Sequence, residues 1–148
     1  MKERLSRLER IYQENPVVFI TFCTHKRLKL LDSPTVQGAF ESFCHAAKDR
    51  HIFVGRYVIV PDHVHFFVSL PELDGLAVWM KSLKNFLSKT LKASGYPAPH
   101  WQKGYFDHVV RSEIARESKW IYVRMNPVRH GLVDGCDKWL YQGQVFPL

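Results

Sequence analysis

Cysteine is scarce in this chain, and its placement excludes two classes of protein. Cys23, Cys44 and Cys136 are three in number, far apart and never in a C-x-x-C pair. Neither a disulfide framework nor a thiolate zinc site is built that way, and a reducing cytoplasm with cysteines as small core residues fits. No run of about 18 apolar residues occurs, which argues against a membrane span. Residues 1–10 are charged and lead into no apolar stretch, so no secretion signal is expected either. A G-x-x-x-x-G-K-[ST] phosphate loop is absent, and with it the commonest sign of nucleotide-driven chemistry. Acidic residues are few: 14 Asp and Glu stand against 21 Lys and Arg, a formal charge of +7. That excess suits a polyanionic partner, and 14% aromatic residues offer bases something to stack on. A basic solvated surface around an aromatic core has the same composition, so charge alone decides nothing.

What is present reads as one domain. The 148 residues are 46% hydrophobic, enough for a single continuous core, and no repeat, low-complexity tract or linker interrupts them. After a charged leader over residues 1–15, the β-branched and aromatic residues 17–24 (VVFITFCT) predict a buried strand. Ser33 and Pro34 open a helix to about Arg50, with Val36, Phe40, Phe43 and Ala47 on one face. Residues 52–60 and 63–70 read as strands joined only by Pro61 and Asp62, hence antiparallel neighbours. A turn over 71–75 precedes an amphipathic helix whose apolar stripe is Leu76, Met80, Leu83, Leu87 and Leu91. Residues 105–111 (YFDHVVR) are β-prone, and Ser112 caps a last helix expected to reach about Asn126, where Pro127 discourages continuation. The order β-α-β-β-α-β-α predicts an α+β fold: a ferredoxin-like antiparallel sheet with packed helices.

Two small constellations carry chemistry. His63 and His65 lie two apart in a strand, so both imidazoles leave the same face with Phe67 and Ser69, while Val64, Phe66, Val68 and Leu70 take the other. Two ordinary strand histidines would look the same, and an ion needs a third group. Tyr122 and Asn126, four apart on the last helix, share a face, with Lys119 one turn earlier and Ile114, Ile121 and Met125 as an adjoining apolar stripe. Taken alone, that pair is better explained by a packed tyrosine at the edge of the core with a polar helix end. His25, His45, His51, His100, His108 and His130 have no partner at metal-ligand spacing.

Three separated segments carry a resemblance. Residues 57–68 (YVIVPDHVHFFV) are similar to the histidine motif of the IS200-like single-tyrosine transposases of the HUH nuclease superfamily. Residues 101–108 (WQKGYFDH) followed by 122–133 (YVRMNPVRHGLV) resemble the downstream signature of the REP-associated tyrosine transposase branch, and 21–27 (TFCTHKR) its opening, so the likeness spans about 17–133. The resemblance implies a metal-dependent single-stranded DNA endonuclease and strand transferase acting at hairpin elements through a 5′-phosphotyrosine. It implies Tyr122 as nucleophile and His63, His65 and Asn126 as ligands of Mg²⁺ or Mn²⁺, the branch having Asn where IS200 proper has Gln. Lys119 is a candidate to assist the phenol. Lys26, Arg27, Lys81, Lys84, Lys89, Lys92, Arg111, Arg124 and Arg129 are candidate phosphate contacts. The branch resembles monomers, IS200 proper dimers with exchanged tyrosine helices, so a monomer is favoured over a homodimer. Two other readings stay open: a non-catalytic ferredoxin-like nucleic-acid-binding domain, and a domesticated HUH nickase.

Overall fold

The computed structural model describes residues 15–148, so the charged leader lies outside the described residues apart from Asn15. Among the described residues, five strands form one sheet: β1 (Val17–Cys23), β2 (Phe53–Val60), β3 (His63–Ser69), β4 (Phe106–Val110) and β5 (Gln142–Gln144). Their order is β4-β1-β3-β2-β5, and every neighbouring pair is antiparallel. The first four strands with the two helices between them give the ferredoxin-like arrangement expected from the element order. Pro61 and Asp62 alone turn β2 into β3, so the chain doubles back into the antiparallel pair.

Because both faces of the sheet are covered, β1 reads as a continuous apolar run rather than an alternation. Val18, Ile20 and Phe22 join Val64, Phe66 and Val68 in one core, under α1 (Pro34–Ala46) and α2 (Leu76–Ala93). The α1 amino end is fixed as expected: Ser33 Oγ accepts from the Val36 N–H at 3.1 Å, with Pro34 in the first turn. Its far end differs. The α-helix stops at Ala46, and residues 47–50 tighten into a 3-10 turn closed by His51 at φ 59. The predicted α2 stripe is buried throughout, and Trp79 adds to it.

The opposite face carries a smaller core of Val17, Phe19, Val58, Val60, Phe67, Val110 and Val123, flanked by Trp120, Trp139 and Leu148. Here α3 (Glu113–Val123) lies across the sheet, its first turn capped by Ser112 Oγ accepting from the Ala115 N–H at 3.1 Å. The expected run to Asn126 is not observed. Pro127 lacks an N–H and its ring crowds the carbonyl four residues back, that of Val123, where α3 ends. A separate short helix, α4 (Asn126–Arg129), follows.

The apolar stripe expected on the last helix also fails. Ile114 is 82% and Ile121 55% exposed; Trp120 and Val123 are the residues that pack. A cavity of about 410 Å³ lined by Arg56, Phe67, Ile114, Glu117, Trp120 and Leu148 separates the start of α3 from the sheet, and Arg56 bridges it by pairing with Glu117 at 2.7 Å. None of the histidine or tyrosine candidates lines that cavity.

Strand β5 was not anticipated, since Gln-Gly-Gln has no apolar pattern to announce it. Gly143 permits it: a Cβ there would stand 3.1 Å from the Tyr57 Oη. Among the described residues, no helix is long and apolar enough to cross a membrane.

Candidate metal and nucleophile site

The period of two in β3 places His63 and His65 on the α3 side of the sheet, and the register with β1 decides what stands beside them. Cys23 lies opposite His63, Thr21 opposite His65 and Phe19 opposite Phe67. The His65 ring stacks on Phe19, with centroids 5.4 Å apart and planes 18° from parallel. Its Nδ1 is 2.7 Å from Thr21 Oγ1, so with the proton on Nδ1 the Nε2 lone pair is free. The two imidazoles meet edge to face, centroids 4.6 Å apart.

His63 is oriented in the same way by a carboxylate. Its Nδ1 is 2.7 Å from Asp62 Oδ1, and the other Asp62 oxygen accepts from Arg27 Nε at 3.0 Å. Burial would raise the Asp62 carboxyl, but the Arg27 and His63 hydrogen bonds outweigh it and hold the group below its ordinary value. The His63 Nδ1–H therefore donates to Asp62, and Arg27 Nη2, 3.2 Å from the same nitrogen, is a flanking charge. Burial depresses the His63 imidazole despite that carboxylate. Burial, then His63 and the cations Arg129, Lys119 and Arg27, push His65 down to about 3. Both rings are thus held neutral, each with one nitrogen tied and the other available, the state a metal ligand requires.

Among the described residues, no three His, Cys, Asp or Glu side chains converge as a ready ion site. An amide or phosphate oxygen would have to complete the pair. Asn126 is buried, and its Oδ1 accepts from His130 Nε2 at 3.1 Å. The His130 ring also lies 5.9 Å from that of His63. His130, four residues beyond Asn126 in the turn that Pro127 starts, is thus carried back to the histidine pair, a placement that its spacing in the sequence does not give. Asp62 and Thr21 were likewise unassigned from sequence. Adjacency to His63 was the available signal for Asp62, whereas Thr21 needed the strand register.

Tyr122 is 65% exposed, not at the edge of the core as the stripe implied, and the Arg129 guanidinium stands 4.1 Å from its ring centroid. Lys119 turns the other way, its Nζ 5.1 Å from the Phe19 ring. The basic candidates divide. Lys26, Lys81, Lys89, Lys92 and Arg111 are exposed, and Arg124 is half-buried with its Nε unpartnered among the described residues. Arg27 is committed to Asp62, and Lys84 donates to the carbonyls of Gln102 and Gly104, so neither is a free cation.

Comparison with known proteins agrees with this fold. The chain is 26% identical over 137 residues to the REP-associated tyrosine transposase of Escherichia coli (strain K12), covering 91% of this chain and 80% of that protein. The solved structure of the REP-associated tyrosine transposase bound to a REP hairpin superimposes with a TM-score of 0.67 at 23% identity, over 96% of this chain and 82% of that one. The family model for IS200-like transposases matches residues 13–125, from the approach to β1 through the whole of α3. The chain belongs to the IS200-like transposase family.

Proposed function

We propose that this transposase cuts and joins single-stranded DNA at hairpin elements, with Tyr122 as nucleophile and His63, His65 and Asn126 as donors to a divalent ion, Mg²⁺ or Mn²⁺. The observation that carries the reading is the paired state of the histidines. Each is neutral and anchored through Nδ1, by Asp62 and Thr21, on the face that α3 crosses. Two imidazoles with one amide oxygen suit manganese somewhat better than magnesium, which prefers oxygen throughout. His130 supports Asn126 by donating to its oxygen, which leaves that atom's second lone pair for an ion. A hairpin partner is supported by the likeness to the REP-associated transposases. The same branch favours a monomer over a homodimer, working in the cytoplasm.

The reaction exchanges one phosphodiester for another. Tyr122 Oη loses its proton to solvent and attacks the scissile phosphorus; the P–O bond to the 3′ oxygen breaks, and that oxygen leaves with a proton. A 5′-phosphotyrosine results, and attack by a free 3′-OH reverses the exchange at a new junction without ATP. When bound, a divalent ion polarises the phosphate and stabilises the charge developing on the leaving oxygen.

Incubating the protein with single-stranded hairpin DNA and Mn²⁺, followed by denaturing electrophoresis and mass spectrometry, tests the assignment. The expected result is an adduct on Tyr122 that disappears with chelator and in Tyr122→Phe, while hairpin binding persists. Adduct on another residue, or full cleavage by Tyr122→Phe, overturns the mechanism, and binding with no cleavage under any metal favours the non-catalytic domain.

A further inference from the structure

Tyr122 projects from the solvent side of α3, 65% exposed. An exposed aromatic side chain on a helix moves among staggered rotamers in picoseconds to nanoseconds, whereas in-line attack needs the oxygen held about 3–3.5 Å from phosphorus. Something must restrict the ring. Among the described residues, the side chain stacked on it is Arg129, at 4.1 Å.

We propose that Arg129 is the positioning residue of the nucleophile: its guanidinium, packed on the Tyr122 ring, holds it in one orientation for attack on the phosphate. The inference rests on the reading of Tyr122 as nucleophile and goes beyond it. Three observations support it. Arg129 and Asn126 belong to the single turn α4, so one short element presents both the amide oxygen and the group that packs on the tyrosine. The chemistry of the pair suits positioning. A planar, permanently charged guanidinium is drawn to the face of an aromatic ring and packs flat on it, which fixes the ring's plane as well as its place. The other cation near the nucleophile is directed elsewhere: Lys119 rests over Phe19.

The test separates chemistry from binding. Arg129→Ala, Arg129→Lys and Tyr122→Phe are compared with the parent chain by hairpin affinity, the salt dependence of that affinity, melting temperature, and the single-turnover rate of adduct formation at saturating DNA. For Arg129→Ala the adduct rate should fall about tenfold to a hundredfold, the scale of a misplaced nucleophile, while melting and the salt slope stay as in the parent. Arg129→Lys should recover part of the rate, since it keeps charge without the stacking plane. An unchanged adduct rate in Arg129→Ala overturns the inference. So does a fall in affinity and salt slope with the saturated rate intact, which would make Arg129 an ordinary phosphate contact. Persistence of the adduct in Tyr122→Phe would remove the nucleophile itself and the inference with it, an outcome distinct from failure of Arg129 alone.

Discussion

Arg27 Nε and Asp62 Oδ2 pair at 3.0 Å, joining the loop after β1 to the β2–β3 turn behind the candidate donor His63. The pairing is reached through an unusual backbone: Lys26 and Arg27 both have positive φ, 53 and 55. Such conformations cost on the order of 1–3 kcal/mol each in non-glycine residues and persist only where neighbours fix them. Thr24 Oγ1, 2.7 Å from the Leu28 carbonyl and 3.2 Å from that of Asp62, helps to do so. Arg27→Ala should therefore leave the domain folded but lower Mn²⁺ affinity about tenfold by loosening Asp62 and His63. Calorimetric titration measures it, and an unaltered affinity would detach Arg27 from the metal site.

The separation of the cations into free and committed predicts which ones DNA can use. Replacing exposed Lys81 or Lys92 by Met should reduce the slope of log affinity against log salt by up to about one unit each, with little change in hairpin preference. Lys84→Met should instead lower the melting temperature, because its ammonium ties down the Gln102 and Gly104 carbonyls beside Trp101, whose Nε1 donates to the Lys84 carbonyl at 3.0 Å. A Lys84 variant of unchanged stability and flattened salt slope would reverse this division.

The same contrast explains what the sequence alone could convey. Features set by local periodicity were legible: the two-residue spacing that puts His63 and His65 on one face, the Ser33 and Ser112 caps, and the Leu76-to-Leu91 stripe. Features set by distant partners were not. Thr21 reaches His65 only through the β1–β3 register, Arg27 and Lys84 are occupied by residues 35 and 18 positions away, and β5 is recruited by the edge of β2 rather than by its own residues. Ile114 and Ile121 misled for a related reason: hydrophobicity at helical spacing marks a face, but here Trp120 and Val123 hold α3 to the sheet and the isoleucines stay in solvent.

The depressed histidines make a statement about stability in metal-free protein. His65 titrates near 3 in the fold against about 6.5 in an unfolded chain, and His63 is lowered as well. Between those values the unfolded state binds protons that the native state refuses, so stability is full above about pH 6.5 and declines as pH falls towards 3, by at most about 1.4 kcal/mol per pH unit for each group. Urea unfolding with chelator between about pH 7 and pH 4 should show this decline, and His65→Gln should remove part of it. Identical slopes for parent and variant would mean that His65 is protonated in the fold.

Pro127 gives the sharpest test of how the helix break serves the site. In the parent, α3 ends at Val123, residues 124–125 turn, and α4 starts at Asn126, which directs the Asn126 oxygen to His130 and brings the His130 ring within 5.9 Å of His63. Pro127→Ala restores a backbone N–H and relieves the Val123 carbonyl, so the helix can continue through Arg129. Continuation costs no folding energy and is expected to leave the melting temperature unchanged or slightly higher. It turns Asn126 and His130, which stay four apart on one face, together onto the regular 3.6-residue path above Tyr122, however, away from His63 and His65. Mn²⁺ affinity should therefore drop about tenfold while stability holds, a combination that core damage would not produce. Helical content by circular dichroism should rise with it. If the variant binds Mn²⁺ as tightly as the parent while gaining helix, the break is not what positions Asn126, and the third donor must be sought among the phosphate oxygens of the DNA.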